Sequence, residues 1–162
     1  MEANSIDKKT FQLVENGKPL GELIYENIFF SKAEIRFEDS EIYQINPVGF
    51  FKTSSIVSKN GKEIANLKMN WRGQIVISFL EGEEFVLKGK GIFHDKYTIE
   101  NNDKKKLIQF DPKFNWKKFR YNYSITFNKN PQDILLTLLG VYASNYIISS
   151  MSGVGSGIDN NS

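Results

Sequence analysis

Apolar side chains follow two different rhythms along this chain. Between residues 10 and 128 they recur at every second position, in short runs separated by Gly, Pro, Asn and acidic residues. That is the period of half-buried strands. The runs predict strands over 10–15, 20–25, 33–37, 41–45, 51–59, 64–70, 74–80, 85–88, 92–100, 106–110 and 121–128. Asn16-Gly17 and Asn60-Gly61 predict tight hairpins, because both residue types tolerate positive φ. Asn46-Pro47 with Gly49, and Asp111-Pro112, predict breaks in the chain.

The second rhythm is helical. From Ile134 to Ile148 eleven of fifteen residues are apolar or tyrosine, and they occupy every angular sector. A helix over 131–150 is predicted, with Asn130 as N-cap, Pro131 at the first helical position and Asp133 in the first turn. A helix that is apolar all round lies either in a core or in a membrane. This one is interrupted by Thr137, Gly140, Ser144 and Asn145, and its dense part is short for a span of about 20 residues. A buried core helix is therefore expected. A C-terminal tail anchor is the alternative, since no charge lies between Asp133 and Asp159. Burial would oblige Tyr142 and Asn145 to find internal hydrogen-bond partners.

Composition narrows the functional classes. A length of 162 residues suits one domain. It is placed at 10–150, between flexible ends at 1–9 and at the Gly- and Ser-rich 151–162. The absence of cysteine removes disulfides, thiolate metal sites and cysteine nucleophiles. The opening MEANSIDKK has no apolar core, so no secretory signal is expected, and a cytoplasmic location follows. Net charge is only +2, yet residues 96–129 carry nine basic and three acidic side chains. The later strands are the basic part of the surface.

A turn-and-return unit recurs as NGKPLGEL at 16–23 and NGKEIANL at 60–67, and more loosely at 82–89 and 102–110. Repeated hairpins argue for an antiparallel meander of about a dozen strands. Closure into a barrel removes its edges. A barrel that wide cannot be filled by its own side chains, and an all-apolar helix of roughly 30 Å would fill it. The expected fold is mainly β: a closed antiparallel barrel enclosing one C-terminal hydrophobic helix.

This order of elements resembles the tubby-like superfamily, which holds tubby C-terminal domains, phospholipid scramblases and LURP-one-related proteins. The residues carrying the resemblance are the hairpin units at 16–23 and 60–67 and the segment ILLTLLGVYASNYIIS at 134–149. The resemblance implies a twelve-stranded barrel around a central helix, and covers about 10–150. The chain is shorter than a tubby domain. It lacks the cysteine-rich, lipid-modified segment of scramblases, and no acidic loop resembling their proposed calcium site lies in the late strands. Neither a calcium site nor scramblase activity is carried over.

Candidate chemistry is sparse. His94, the one histidine, stands beside Asp95, but neighbours in a strand point to opposite faces, so a structural or surface role is expected over that of a general base. Glu81, Glu83 and Glu84 read as solvated turn charge. No phosphate loop, zinc-protease motif or nucleophile elbow is present. The chain is expected to be no enzyme and to need no cofactor or metal.

One stretch points to binding: Lys104, Lys105 and Lys106, then Lys113, Trp116, Lys117, Lys118 and Arg120, interleaved with Phe114, Phe119, Tyr121 and Tyr123. Such a surface suits anionic phospholipid headgroups, with Trp116 at the headgroup level. Tubby domains bind phosphoinositide headgroups through basic residues, and the resemblance favours this reading. Stacking on single-stranded nucleic acid is the alternative ligand chemistry, and no specific nucleic-acid partner is expected. The plain structural reading is an outer strand with cations toward water and aromatics toward the barrel. The expectation is a monomeric, non-enzymatic binding or scaffold protein, peripheral to a membrane. The alternatives are a tail-anchored protein using 134–150, or a hollow carrier of an apolar ligand with the helix as lid.

Overall fold

Period-two burial runs through the whole β region and closes on itself. The computed structural model describes residues 1–29, 31–49, 52–91, 94–128 and 133–156. Twelve strands and one helix are found among them. The first six strands are β1 (Glu2–Ser5), β2 (Thr10–Glu15), β3 (Lys18–Tyr25), β4 (Ala33–Phe37), β5 (Ile42–Val48) and β6 (Ser54–Lys59). The rest are β7 (Lys62–Met69), β8 (Ile75–Phe79), β9 (Glu84–Lys90), β10 (Lys96–Asn101), β11 (Lys106–Asn115) and β12 (Arg120–Phe127), followed by α1 (Ile134–Ser156). Each strand pairs antiparallel with its neighbours in sequence, and β1 pairs with β12 to close the barrel.

The two Asn-Gly turns form as predicted. Asn16 and Gly17 lie at φ 51° and 78°, and Asn60 and Gly61 at 52° and 75°. Their hairpins also share an irregularity. The register shifts between Leu13 and Val14 in one and between Val57 and Ser58 in the other. Each shift falls at the same offset before the turn, so the two sequence units are the same hairpin twice.

Inward positions carry the core: Phe11, Leu13, Leu23, Ile35, Ile45, Val57, Ile77, Leu87, Ile99 and Phe110 are fully buried. Twelve strands about 4.8 Å apart enclose a bore roughly 20–25 Å across once their tilt is included. A helix with side chains is about 10–12 Å wide, leaving room for one layer of inward side chains around it. Residues Leu138, Leu139, Val141 and Ser144 of α1 are accordingly without solvent exposure. Closest approach falls at Gly140, where an added Cβ would stand 2.3 Å from Phe110 Cζ.

Tyr142 and Asn145 find the internal partners that burial demands, while the Ser144 hydroxyl is buried without one. Tyr123 donates to Asn145 Oδ1 at 2.7 Å, and Asn145 Nδ2 donates to the Tyr25 hydroxyl at 3.1 Å. The Tyr142 hydroxyl lies 3.0 Å from Ser55 Oγ and donates to the Ser31 carbonyl at 2.6 Å. The stretch Ile134–Met151 has the length and composition of a membrane span, but its apolar surface is used against the strands. The helix fills the bore rather than capping it, which removes both the hollow carrier and the free tail anchor.

Three expectations need correction. Residues 1–9 are not a loose end, because β1 supplies the closing ladder. Ala3 is fully buried between Leu13 and Tyr123, and Ser5 binds Asn122 Oδ1 through its N–H and its hydroxyl. Such a strand is held by backbone pairing on both sides, so it needs little apolar signal. The breaks at Pro47 and Pro112 do not occur. Both prolines continue their strands at positions paired on one side only, where a missing N–H costs no ladder bond. The helix cap is Asp133, whose Oδ1 accepts from Leu136 N at 2.9 Å. Asn130 and Pro131, given that role above, lie outside the described residues. At its far end α1 runs on past Ser150 to Ser156. Ser149 and Ser150 bond back to the Asn145 and Tyr146 carbonyls and so stay compatible with the helix.

Candidate functional site

An up-and-down barrel sends alternate connections to opposite ends, and this sorts the basic residues. Lys104 and Lys105 sit in the β10–β11 turn, and Lys106 opens β11. Trp116, Lys117 and Lys118 sit in the β11–β12 turn, with Lys113 just before it on β11 and Arg120 opening β12. From Lys106 to Asn115 the strand covers nine steps, roughly 30 Å at about 3.3 Å each. The eight residues therefore form two separate groups. The Lys104–Lys106 group lies at the end where α1 begins, and the Trp116 group at the end where its C-terminal half emerges.

The Trp116 group is a built feature. Asn115 Oδ1 accepts from the backbone N–H of both Lys117 and Lys118, at 3.1 and 3.3 Å, and folds the turn back. Phe114 is the hub of an aromatic cluster: ring centroids lie 4.8 Å from Trp116, 5.2 Å from Tyr121 and 6.4 Å from Phe119, all edge to face. The plain outer-strand reading put these aromatics toward the barrel, and that holds for Tyr123 and in part for Tyr121, which packs against the core. Trp116 and Phe119 are 76% and 65% exposed, beside the exposed Lys113, Lys117 and Lys118. Phe119 also holds φ at 54°. That conformation costs an L-residue on the order of 1–2 kcal/mol, and here it leaves a phenyl ring in solvent.

Arg120 has a different role from its neighbours. Its Nε donates to the Lys8 carbonyl at 3.0 Å, Nη1 to the Phe119 carbonyl at 3.2 Å and Nη2 to the Ile28 carbonyl at 3.4 Å. One guanidinium thus ties the β1–β2, β3–β4 and β11–β12 connections together. Partial burial lowers its pKa, with the Tyr25 phenol acting the opposite way. Between these connections lies an open cleft of about 460 Å³, lined by Ile28, Phe29, Phe114, Phe119, Tyr121 and Ile148 among others. Phe29 is 77% exposed. Sequence reasoning missed Ile28 and Phe29, because two apolar residues in a turn carry no periodic signal.

His94 lies in the β9–β10 connection with φ at 48°, not in a strand as expected. Its ring packs over Gly89 and edge to face on Tyr97 at 6.2 Å. Among the described residues no three His, Asp or Glu side chains converge as a metal site requires. Glu81 and Glu83 lie at the opposite end, in the β8–β9 turn. Compared with known proteins, the chain matches no family model, no curated protein and no solved structure.

Proposed function

We propose that this chain is a non-enzymatic binding module of tubby-like type that meets anionic phospholipid headgroups at a cytoplasmic membrane surface. The observation that carries the reading is the β11–β12 turn, which holds Trp116 and Phe119 in solvent between Lys113, Lys117 and Lys118. Indole and phenyl rings favour the headgroup level, and each Lys near an anionic leaflet contributes about 1 kcal/mol. The barrel around an apolar helix fits a binding or scaffold role, and the order of its elements supports the tubby-like assignment. The separation of the two Lys groups shifts the proposed contact to Lys113, Trp116, Lys117 and Lys118, with Arg120 positioning the turn.

The test is co-sedimentation with phosphatidylcholine vesicles, with and without phosphatidylserine. Binding is expected only with the anionic lipid, weakened by salt. Lys117→Glu/Lys118→Glu should reduce partition by about tenfold or more, while Lys104→Glu/Lys105→Glu at the other end should leave it unchanged. Equal binding to neutral vesicles, or indifference to both variants, would refute the proposal.

A further inference from the structure

The strand order divides the twelve connections into two rings, and the rings have opposite chemistry. The end where α1 emerges carries the connections 6–9, 26–32, 49–53, 70–74, 91–95 and 116–119. Their described residues include four Phe or Trp, and seven Lys or Arg against three Asp or Glu. The opposite end carries 16–17, 38–41, 60–61, 80–83, 102–105 and 128–133. Their described residues include no aromatic residue, and two Lys against seven Asp or Glu. Among the described residues, one end is therefore aromatic with a formal charge of +4, and the other is polar with −5.

Solvent exposure agrees with that division. Trp71 in the β7–β8 connection is 88% exposed, with the Arg72 guanidinium 4.8 Å above its ring. Ile6, Ile28, Phe29, Trp116, Phe119 and Met151 are further exposed large apolar residues of the same end. Aromatic rings in solvent, spread round one mouth and interleaved with exposed cations, match the boundary between headgroups and acyl chains. The acidic opposite end would be repelled by an anionic leaflet.

We infer that this whole end of the barrel, and not the β11–β12 turn alone, is the membrane-docking face, so that the barrel stands on an anionic bilayer with its axis near the membrane normal. The inference rests on the lipid-binding reading above and adds the face and its orientation. The helix's C-terminal end then points at the bilayer, and the Lys104–Lys106 group points away from it.

The chain's own fluorophores test this. Its two tryptophans are Trp71 and Trp116, both at this end, in connections a third of the way round the ring of six from each other. A contact made by one turn cannot immerse both. Trp116→Phe leaves Trp71 as the single reporter, and Trp71→Phe leaves Trp116. Each variant is mixed with phosphatidylserine vesicles containing phosphatidylcholine brominated high in its acyl chains. The expected result is quenching of both reporters, with Trp71→Ala lowering vesicle partition by about tenfold. Quenching of Trp116 alone would overturn end-on docking and leave the single-turn contact standing. Absence of both quenching and co-sedimentation would overturn the lipid reading as well. A dimer in solution that shields both tryptophans from the vesicles would show the face to be a contact between copies, and would overturn the inference.

Discussion

Raising the pH should unfold this barrel at a point set by its buried tyrosines. Tyr25, Tyr123 and Tyr142 are the polar contacts between strands and helix, and their rings are almost without solvent exposure. Burial pushes the Tyr25 and Tyr123 phenols well above their ordinary value of 10.0, the Asn145 hydrogen bond opposing this at Tyr25, and pushes Tyr142 up to about 12. Each phenol stays neutral in the folded state where the unfolded chain would ionise it. The stability they contribute is thus complete below about pH 10 and is lost as pH rises beyond it. At about pH 11 each ionised phenol favours the unfolded chain by about 1.4 kcal/mol, or about 4 kcal/mol for three. That is a large share of the 5–15 kcal/mol typical of a domain. Burial also pushes Tyr97 up to about 12, in the same direction. The assay is urea unfolding followed by far-ultraviolet circular dichroism at about pH 8, 10 and 11, beside the phenolate absorbance. The midpoint should fall slightly between the first two, by about 0.4 kcal/mol per phenol, and steeply by the third, with these phenols ionising only as the sheet is lost. An unchanged midpoint at about pH 11, or ionisation of all seven tyrosines near their ordinary pKa with the sheet intact, would refute the buried polar contacts.

Two substitutions test the core. Gly140→Ala should cost about 2 kcal/mol net, since a Cβ 2.3 Å from Phe110 Cζ puts overpacking near the upper end of its range, about 3, and better helix propensity returns about 1. A thermal midpoint that stays level or rises would show that the helix does not approach β10 and β11 there. Ala3→Asp places a carboxylate at a fully buried site between β2 and β12 and should cost more than about 3 kcal/mol, whereas Glu2→Ala on the outer face should be near neutral. Equal unfolding midpoints for the two variants would refute closure of the barrel by β1.

The barrel was legible in the sequence because its signals are local. Alternation marks the inward face, Asn-Gly forces the hairpin, and a helix with no polar side must be enclosed. β1 was illegible for the converse reason: Glu2 to Ser5 offers one small apolar side chain, and its place is fixed by ladders to residues distant in sequence. Pro47 and Pro112 misled because a proline is a break only where both strand edges are paired, and that depends on where the neighbouring strand ends. The candidate site was half legible. Composition found Trp116, Lys117 and Lys118, but treated Lys104 to Arg120 as one patch when a ten-residue strand separates its two groups. Phe29 and Trp71 were overlooked because each is ordinary within its own turn. They become a pattern only once the turns are sorted by the end of the barrel they occupy.

That sorting also changes what the charge of the chain means. A net charge of +2 spread over 162 residues would bind nothing in particular. Here the two ends carry larger, opposed charges held apart by the strands. At physiological ionic strength the screening length is about 8 Å, well below the roughly 30 Å that β11 spans. The acidic end therefore cannot cancel the basic end at a surface the latter would touch. The interior offers no competing site, because α1 occupies it, and the outer walls are the solvated faces of paired strands. Of the two ends, only one joins cations to solvent-exposed aromatic rings among the described residues.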